Sequence, residues 1–380
     1  MGPEALTRDA VDVLPAGALD AKLKLDRPLR VKLGIDPTTP DVHLGFAYVL
    51  ERLAEFQRAG HTIVLIVGDY TARIGDPSGR SKERPVLADD ELDANAKFFA
   101  EQAFTVLDRD RTEVRFNGEW LGALSYDEVV RLCRQFTVAR LLERDDFAKR
   151  FAAHVSISLS ELLYPVMQAY DSVAIEADVE IGGTDQLYNL LAGREVMAAY
   201  GLEPQVVLTT PLIDSWDGSK MSGSKGNYIA LVEDPNEQFG KAMRLPDELL
   251  ETYFRLVMES DEPRPDPLEA KLALARFIVT RAHGTEAARA AEEHFTRVVR
   301  EGQAPDEVVE VELPRADPVH LPRLLVDSLG IGSASEARRL ISQGAVRLDG
   351  EVMTELDVPR EQLEGRLLQA GKRRFARLTP

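Results

Sequence analysis

Two short segments carry side chains that could hold a polyphosphate. Residues 34–46 read GIDPTTPDVHLGF. Gly34 permits close approach of the backbone, and Gly45 opens a helical pattern, where free N–H groups attract anions. His43 can donate to a phosphate oxygen without a permanent charge. Residues 217–227 read DGSKMSGSKGN, with Lys220 and Lys225 flanking Met221, Ser222, Gly223 and Ser224. Glycine and serine let such a backbone move, and the lysines can close over a triphosphate. Charge that arrives on the transition state speeds phosphoryl or nucleotidyl transfer. Each segment has a plain alternative, a strand–helix turn in one case and a solvated surface turn in the other. The pair, about 175 residues apart, is more specific than either. A third candidate, GDPSGRSK, fails as a Walker-type loop: three residues separate its glycines where four are needed, and Arg80 stands where the lysine belongs.

The elements around these loops predict a parallel sheet. LRVKLGID, 29–36, reads as a buried strand that the prolines of PTTPDVH stop. GFAYVLERLAEFQRAG has apolar residues at helical spacing (Phe46, Val49, Leu50, Leu53, Phe56) and ends at Gly60, a C-cap residue. HTIVLIVGD is bare of charge over its apolar core, as a central parallel strand is. Strand, helix and strand make a βαβ unit, whose ligands sit at the C-terminal ends of the strands. The stretch 89–160 is mostly helical in pattern. An extended piece, a glycine turn and a long helix follow in IEADVEIGGTDQLYNLLAGREVMAAYG, and PQVVLTTPLI is a strand running into the lysine loop. From 235 to about 302 the pattern is helical and charged, and QAPDEVVEVELPRADP reads as a linker with a short extended piece.

Composition restricts the function classes. A 380-residue chain with 44% hydrophobic and 29% charged residues has enough apolar material for two or three folded domains, which excludes a disordered chain. The run TIVLIV is too short to span a bilayer, and MGPEALTRDAVDVLP has no apolar export signal, so a cytoplasmic protein is expected, without a membrane partner. The lone Cys133 excludes an internal disulfide and a cysteine-rich zinc site, and no structural metal is expected. The net charge of −18 argues against non-specific DNA binding, but it is unevenly spread. Residues 319–380 hold ten Lys/Arg against eight Asp/Glu, which makes the tail +2 and the remainder −20. A mildly basic tail on an acidic body suggests a module with its own partner.

HLGF after GIDPTTPDV resembles the His-Ile-Gly-His signature of class I aminoacyl-tRNA synthetases, and KMSGS resembles their Lys-Met-Ser-Lys-Ser loop. KLGIDPT, TARIGDPSGRSK, LLYPVMQAYDS, EIGGTDQLYN and KGNYI are similar to segments of bacterial tyrosyl-tRNA synthetases, in the branch with a lysine before Leu-Gly. The likeness spans nearly the whole chain. Its most discriminating part is Tyr-x-x-x-Gln-x-x-Asp at 164–171 followed by Gly-Gly-Thr-Asp-Gln at 182–186. The tail segment LPRLLVDSLGIGSASEARRLISQGAVRLDGEVM resembles the S-four-like RNA-binding fold, two short helices and a hairpin around Asp349-Gly350.

The resemblance implies an architecture and a pocket. It implies an α/β chain: a Rossmann-like catalytic domain over 1–230 with a connective, mostly helical insertion at about 85–160, a helical anticodon-side domain over 231–305, a linker over 306–318 and a small α+β RNA-binding domain over 319–380. Tyr164, Gln168 and Asp76 match the acceptors for the tyrosine ammonium, and Asp171 the acceptor for its phenol; Gln186 and Gly34 match substrate contacts, with Asp36 as a nearby polar support. Lys32 stands where many members place a tyrosine against the phenol, and it could pair with Asp171 or snorkel away. Without the resemblance, Tyr164, Gln168 and Asp171 read equally as a helix face buried on a sheet, and Asp185 as a helix N-cap. Thr38, His43, Lys220 and Lys225 are the expected catalytic residues, with Gly45, Phe46, Met221, Ser222, Gly223 and Ser224 completing the ATP site. Arg338, Arg339, Arg347, Lys372, Arg373 and Arg374 are candidates for RNA phosphates.

Two positions depart from the family pattern. Phe46 replaces the second histidine of the first signature, and Gly223 the second lysine of the other. Two readings stand. Gly223 gives the loop freedom for Lys225 to replace the lost ammonium, or activation is weakened and the chain is a silent paralogue that binds RNA or an adenylate. The expected activity is that of a tyrosine–tRNA ligase: tyrosine, ATP with Mg²⁺ and tRNA(Tyr) as substrates, on a homodimer. Activation of tryptophan is the rival within enzymes, and Asp171 argues against it.

Overall fold

The computed structural model describes residues 2–78, 88–260, 262, 266–300, 308–371 and 374–380. Contacts divide the chain into two compact units, Met1–Glu233 with Arg244–Leu274, and Asp234–Met243 with Ala275–Pro380. The helical stretch 231–305 contributes to both.

The first unit is built on a six-stranded sheet: β1 (Asp12–Leu14), β2 (Arg30–Ile35), β3 (Thr62–Val67), β4 (Thr112–Phe116), β5 (Val179–Gly183) and β6 (Val206–Thr210), in the spatial order β1-β6-β5-β2-β3-β4. β2 to β6 run parallel, and β1 closes one edge antiparallel to β6. The βαβ unit at 29–67 forms as its periodicity requires. Helix α1 (Leu44–Arg58) buries Leu50, Leu53 and Phe56 against the sheet. It ends in a Schellman turn: Gly60 has φ +103°, its N–H reaches the Gln57 carbonyl, and the His61 N–H reaches that of Phe56.

The stretch 89–160 holds α2 (Asp89–Ala103) and shorter helices, but also β4, whose five residues extend the sheet beyond β3. Its alternation, TEVRF, is brief and half-buried, so a strand at the sheet edge left little periodic signal. Helix α3 (Leu159–Ala174) starts in a Ser158–Glu161 capping box and packs against α4 (Leu187–Ala199). Successive strands step outward in opposite directions from the β2–β5 boundary, which makes it a topological switch point, where open α/β sheets bind ligands.

The second unit has its own apolar core. Helices α5 (Leu321–Leu329) and α6 (Ala334–Ser342) cover a sheet in the order β10-β9-β12-β13-β7. Its strands are β7 (Val309–Glu312), β9 (Val346–Leu348), β10 (Glu351–Val352), β12 (Leu367–Ala370) and β13 (Arg374–Thr379), while β8 (Val319–His320) pairs with β11 (Asp357–Val358). The Asp349-Gly350 pair forms the β9–β10 turn with φ +47° and +90°, the left-handed pair that a two-residue hairpin requires. The short extended piece of the expected linker is β7, which pairs parallel with β13.

Candidate active site

A cavity of about 750 Å³ opens at the C-terminal ends of β2 and β5. Gly34 and Asp36 reach it from β2, Gly182, Gly183 and Asp185 from β5, and Thr38, His43, Gly45 and Phe46 from the turn into α1. Tyr164, Gln168 and Asp171 enter from α3 at spacings of four and three, one helix face. Asp76, Gln186, Lys220, Met221, Ser222, Gly223 and Lys225 complete the expected set. A side chain at Gly34 would project into open space, so glycine there keeps room in the cavity.

A hydrogen-bonded chain joins the polar groups. Tyr164 donates to Asp36 Oδ2 at 3.0 Å, and Thr71 donates to Asp36 Oδ1 at 2.8 Å. Asn117 donates to Thr71 at 3.0 Å and to Asp171 Oδ2 at 3.4 Å, while the Trp120 indole donates to Asp171 Oδ1 at 2.8 Å. Burial pushes the Asp171 carboxyl up to about 6, against the pull of the Lys32 charge and of these two donors. Burial, with Asp36 and Asp76 nearby, pushes the Tyr164 phenol well above its ordinary value. Asp76 accepts from Gln186 at 2.8 Å, and Asn189 in turn donates to Gln186 at 2.9 Å. Gln168 Oε1 is buried and has no hydrogen-bond partner among the described residues, an acceptor free for a ligand.

Lys32 departs from both expectations. It is shut off from solvent below the cavity and pairs with Glu180 at 2.8 Å, donating also to Ser172 Oγ at 2.8 Å and the Gln168 carbonyl at 3.3 Å. Strand register explains this: Lys32 and Glu180 are direct ladder neighbours on β2 and β5, so both side chains leave the same face. The lone charge in the apolar run VEIGG was the available signal for Glu180.

The other face of the cavity is cationic. His43 opens α1, with its ring stacked on Phe46 at 4.5 Å. Burial and then the nearby Lys220 charge lower His43 to about 3, so it is neutral at ordinary pH, and its Nδ1 lacks a hydrogen-bond partner among the described residues. Lys220 forms an ion pair with Asp185, which caps no helix: Gln186 is the N-cap residue of α4 and offers no side-chain bond. Lys225 donates to Ser219 Oγ at 3.2 Å. Met221 is buried and anchors the loop, and Asn227 pins it, accepting from the Ser222 N–H at 2.9 Å and donating to Asp217 at 3.0 Å and the Lys220 carbonyl at 3.2 Å. Ser224 lies in the single turn Gly223–Lys225. Asn117, Trp120, Glu180 and Asn227 went unassigned in the sequence, and Asp185 read as a helix N-cap, because each acts through a partner distant in the chain or through a loop.

In the second unit Arg338, Arg339 and Arg347 are exposed on α6 and β9, opposite the buried Ala337, Ile341, Val346 and Leu348. Arg374 is exposed at the start of β13, and Lys372 and Arg373, like Arg80, lie outside the described residues.

Comparison with known proteins agrees with this geometry. The family described as class I tRNA synthetases (W and Y) matches residues 24–300, and the S4 domain matches residues 321–358. The tyrosine–tRNA ligase of Thermotoga maritima is 49% identical over 98% of this chain and 96% of its own length. That of Geobacter sulfurreducens is 44% identical over 98% and 97%. Among solved structures, the tyrosyl-tRNA synthetase of Archaeoglobus fulgidus, complexed with L-tyrosine, superposes with a TM-score of 0.60 at 22% identity over 76% of this chain and 98% of its own, a likeness of fold. With a cavity at the switch point of a parallel sheet, both signature loops on that cavity and full-length relatives at this identity, the chain belongs to the tyrosyl-tRNA synthetases of class I.

Proposed function

We propose that this chain activates tyrosine with ATP and transfers the tyrosyl group to the 3′ end of tRNA(Tyr). The observation that carries the reading is one cavity lined both by a buried carboxylate, Asp171, and by the lysine loop. The tyrosine carboxylate attacks the α-phosphorus of ATP; the α–β phosphoanhydride bond breaks and pyrophosphate leaves with its electron pair. A terminal ribose hydroxyl of the tRNA then takes the tyrosyl group, and AMP leaves. No side chain is needed as a nucleophile, so positioning and charge carry the rate.

Asp171 accepts from the phenol hydroxyl, and a ligand without that hydroxyl leaves the buried carboxylate one donor short, with only Trp120 and Asn117 to offset its burial; tyrosyl-tRNA synthetases are the type example of such discrimination. Gln168 Oε1, Asp76 and Tyr164 surround the ammonium, with Gln186 beside them and Asp36 holding Tyr164. Thr38 and neutral His43 hold the triphosphate, and Lys220 and Lys225 close over it, with Gly45, Phe46 and residues 221–224 shaping that wall. Mg²⁺ arrives with ATP as part of the substrate.

Residues 1–230 serve as the catalytic domain with the insertion at about 85–160, residues 231–305 as a helical anticodon-side domain, residues 306–318 as a linker and residues 319–380 as the RNA-binding domain, where Arg338, Arg339, Arg347, Lys372 and Arg373 meet phosphates. The working form is a homodimer in the cytoplasm. Tyr126 (82% exposed), Val138, Phe151 and Leu159 (74%) are exposed apolar side chains within residues 126–159, which supports contact of this segment with a second copy of this chain. Among the described residues no helix is long and apolar enough to cross a membrane. Tyrosine-dependent ATP–pyrophosphate exchange tests the reading directly: no exchange, or exchange driven as well by phenylalanine or tryptophan, would overturn it. Phe151→Glu with Leu159→Glu should shift the sedimenting species from dimer to monomer.

A further inference from the structure

Gly223 occupies the position where a lysine is expected, and its backbone does not explain why. Its φ lies outside the left-handed region; the residue of this turn that does need glycine is Gly226, at φ +67°. What Gly223 lacks is room. A Cβ there would stand 2.8 Å from Thr39 Cγ2, closer than such atoms approach, and 3.0 Å from Thr39 Cβ, tighter than nearly all such contacts, with Thr39 Oγ1 nearest of all.

Thr39 cannot easily retreat. It lies between Pro37 and Pro40, and a residue before proline is confined to extended backbone. Both prolines are braced from α2: Asn95 donates to the Pro37 carbonyl at 3.2 Å and Gln102 to the Pro40 carbonyl at 2.9 Å, while Gln102 Oε1 takes the Val42 N–H at 3.0 Å. Asn95 and Gln102 are themselves buried. The lysine loop is the side able to give way, because its turn is exposed at Lys225 and Gly226, while its anchors, buried Met221 and Asn227, lie at its base.

We propose that Thr39 and Gly223 form a matched seat: the lysine loop rests against the braced 38–39 turn, and it can do so only because residue 223 has no side chain. The seat holds Lys220 and Lys225 on the wall that carries Thr38 and His43. It rests on the activation reaction proposed above and identifies Thr39 as a positioning residue, which acts through the loop. Gly223 is thus a spacer, and restoring the family lysine at 223 would unseat the loop.

The test is a double-mutant cycle on the full-length protein: Gly223→Ala, Gly223→Lys, Thr39→Gly and both pairs, with pre-steady-state tyrosyl-adenylate formation as the readout. Overpacking of this kind predicts that Gly223→Ala slows adenylate formation by about tenfold or more. Gly223→Lys should lose at least as much, and each loss should shrink to less than about threefold in the Thr39→Gly background, where the space returns. The KM for tyrosine should stay within about twofold in Gly223→Ala, because the Asp171 pocket is held separately by Trp120 and Asn117. Tryptic cleavage at Lys220 and Lys225 should quicken in the same variant and slow again in the double mutant. Parental adenylate rates in Gly223→Ala, or equal losses with and without Thr39→Gly, overturn the seat. So does a loss that follows a fallen melting temperature and is not relieved by Thr39→Gly. If the parent itself shows no tyrosine-dependent exchange, the synthetase reading fails; an active parent with an indifferent Gly223→Ala fails the seat alone.

Discussion

The Lys32 ammonium lies 2.8 Å from a Glu180 carboxylate oxygen, and the two side chains are 0% and 1% exposed. Glu180 also accepts from Ser172 at 3.2 Å and from Gln205, and Lys32 donates to Ser172, so both charges are saturated by protein groups. The pair sits under Gln168 and Asp171 and sets the floor of the cavity. Removing one partner leaves an uncompensated buried charge, so Glu180→Gln or Lys32→Met should cost about 3–5 kcal/mol, measured by denaturant unfolding. The double replacement Lys32→Met with Glu180→Leu should recover much of that loss. A single variant as stable as the parent would show that the pair is open to water.

The raised Asp171 carboxyl has two opposite consequences with pH. Phenol recognition wants it ionised, so tyrosine affinity should fall as pH drops through about 6. Stability runs the other way. The folded state holds the Asp171 proton between its ordinary 3.8 and about 6, so this group's contribution to stability declines as pH rises across that window. Asp171→Asn should abolish the acid limb of the tyrosine KM profile, flatten that part of the stability profile and reduce tyrosine activation far more than it disturbs folding. His43, lowered to about 3, cannot supply that limb. His43→Gln should lower the rate and leave the inflection where it was.

The loop lysines act on charge that develops during the reaction. Lys220→Ala should slow adenylate formation by roughly 10²–10³ with little change in ATP binding. Lys225→Ala should behave the same way, if less severely, since the Lys225 side chain is exposed and donates to Ser219 at 3.2 Å. Stopped-flow adenylate formation against equilibrium ATP binding separates the two quantities. Equal losses in both would mean the lysines hold the ground state.

Arg338, Arg339 and Arg347 are all exposed around the C-terminal core, the first two on the outer side of α6 and the third on the open face of β9. Replacing all three with Ala should leave ATP–pyrophosphate exchange intact and raise the KM for tRNA. The slope of log affinity against log salt should fall by roughly 0.7–0.9 for each phosphate that an arginine had neutralised. An unchanged slope would assign the arginines to the solvated surface.

The βαβ unit, the β5–α4 turn and the C-terminal hairpin were legible in the chain because each is local. Periodicity, a glycine at a helix end and an Asp-Gly pair act within a few residues of themselves. Most of the residues that the family signatures named for substrates likewise line the cavity. β4 was not legible, because five half-buried residues inside a helical stretch carry almost no periodic signal, and their place is decided by β3. The partner of Lys32 was not legible either. Ladder register between β2 and β5, strands far apart in the chain, chooses Glu180 over Asp171, and only a folded sheet has a register. Gly223 shows the same division. The sequence establishes that the lysine is missing; only the packed turn shows Thr39 filling the space that any side chain would need, because steric exclusion is a property of atoms brought together and has no trace along the chain.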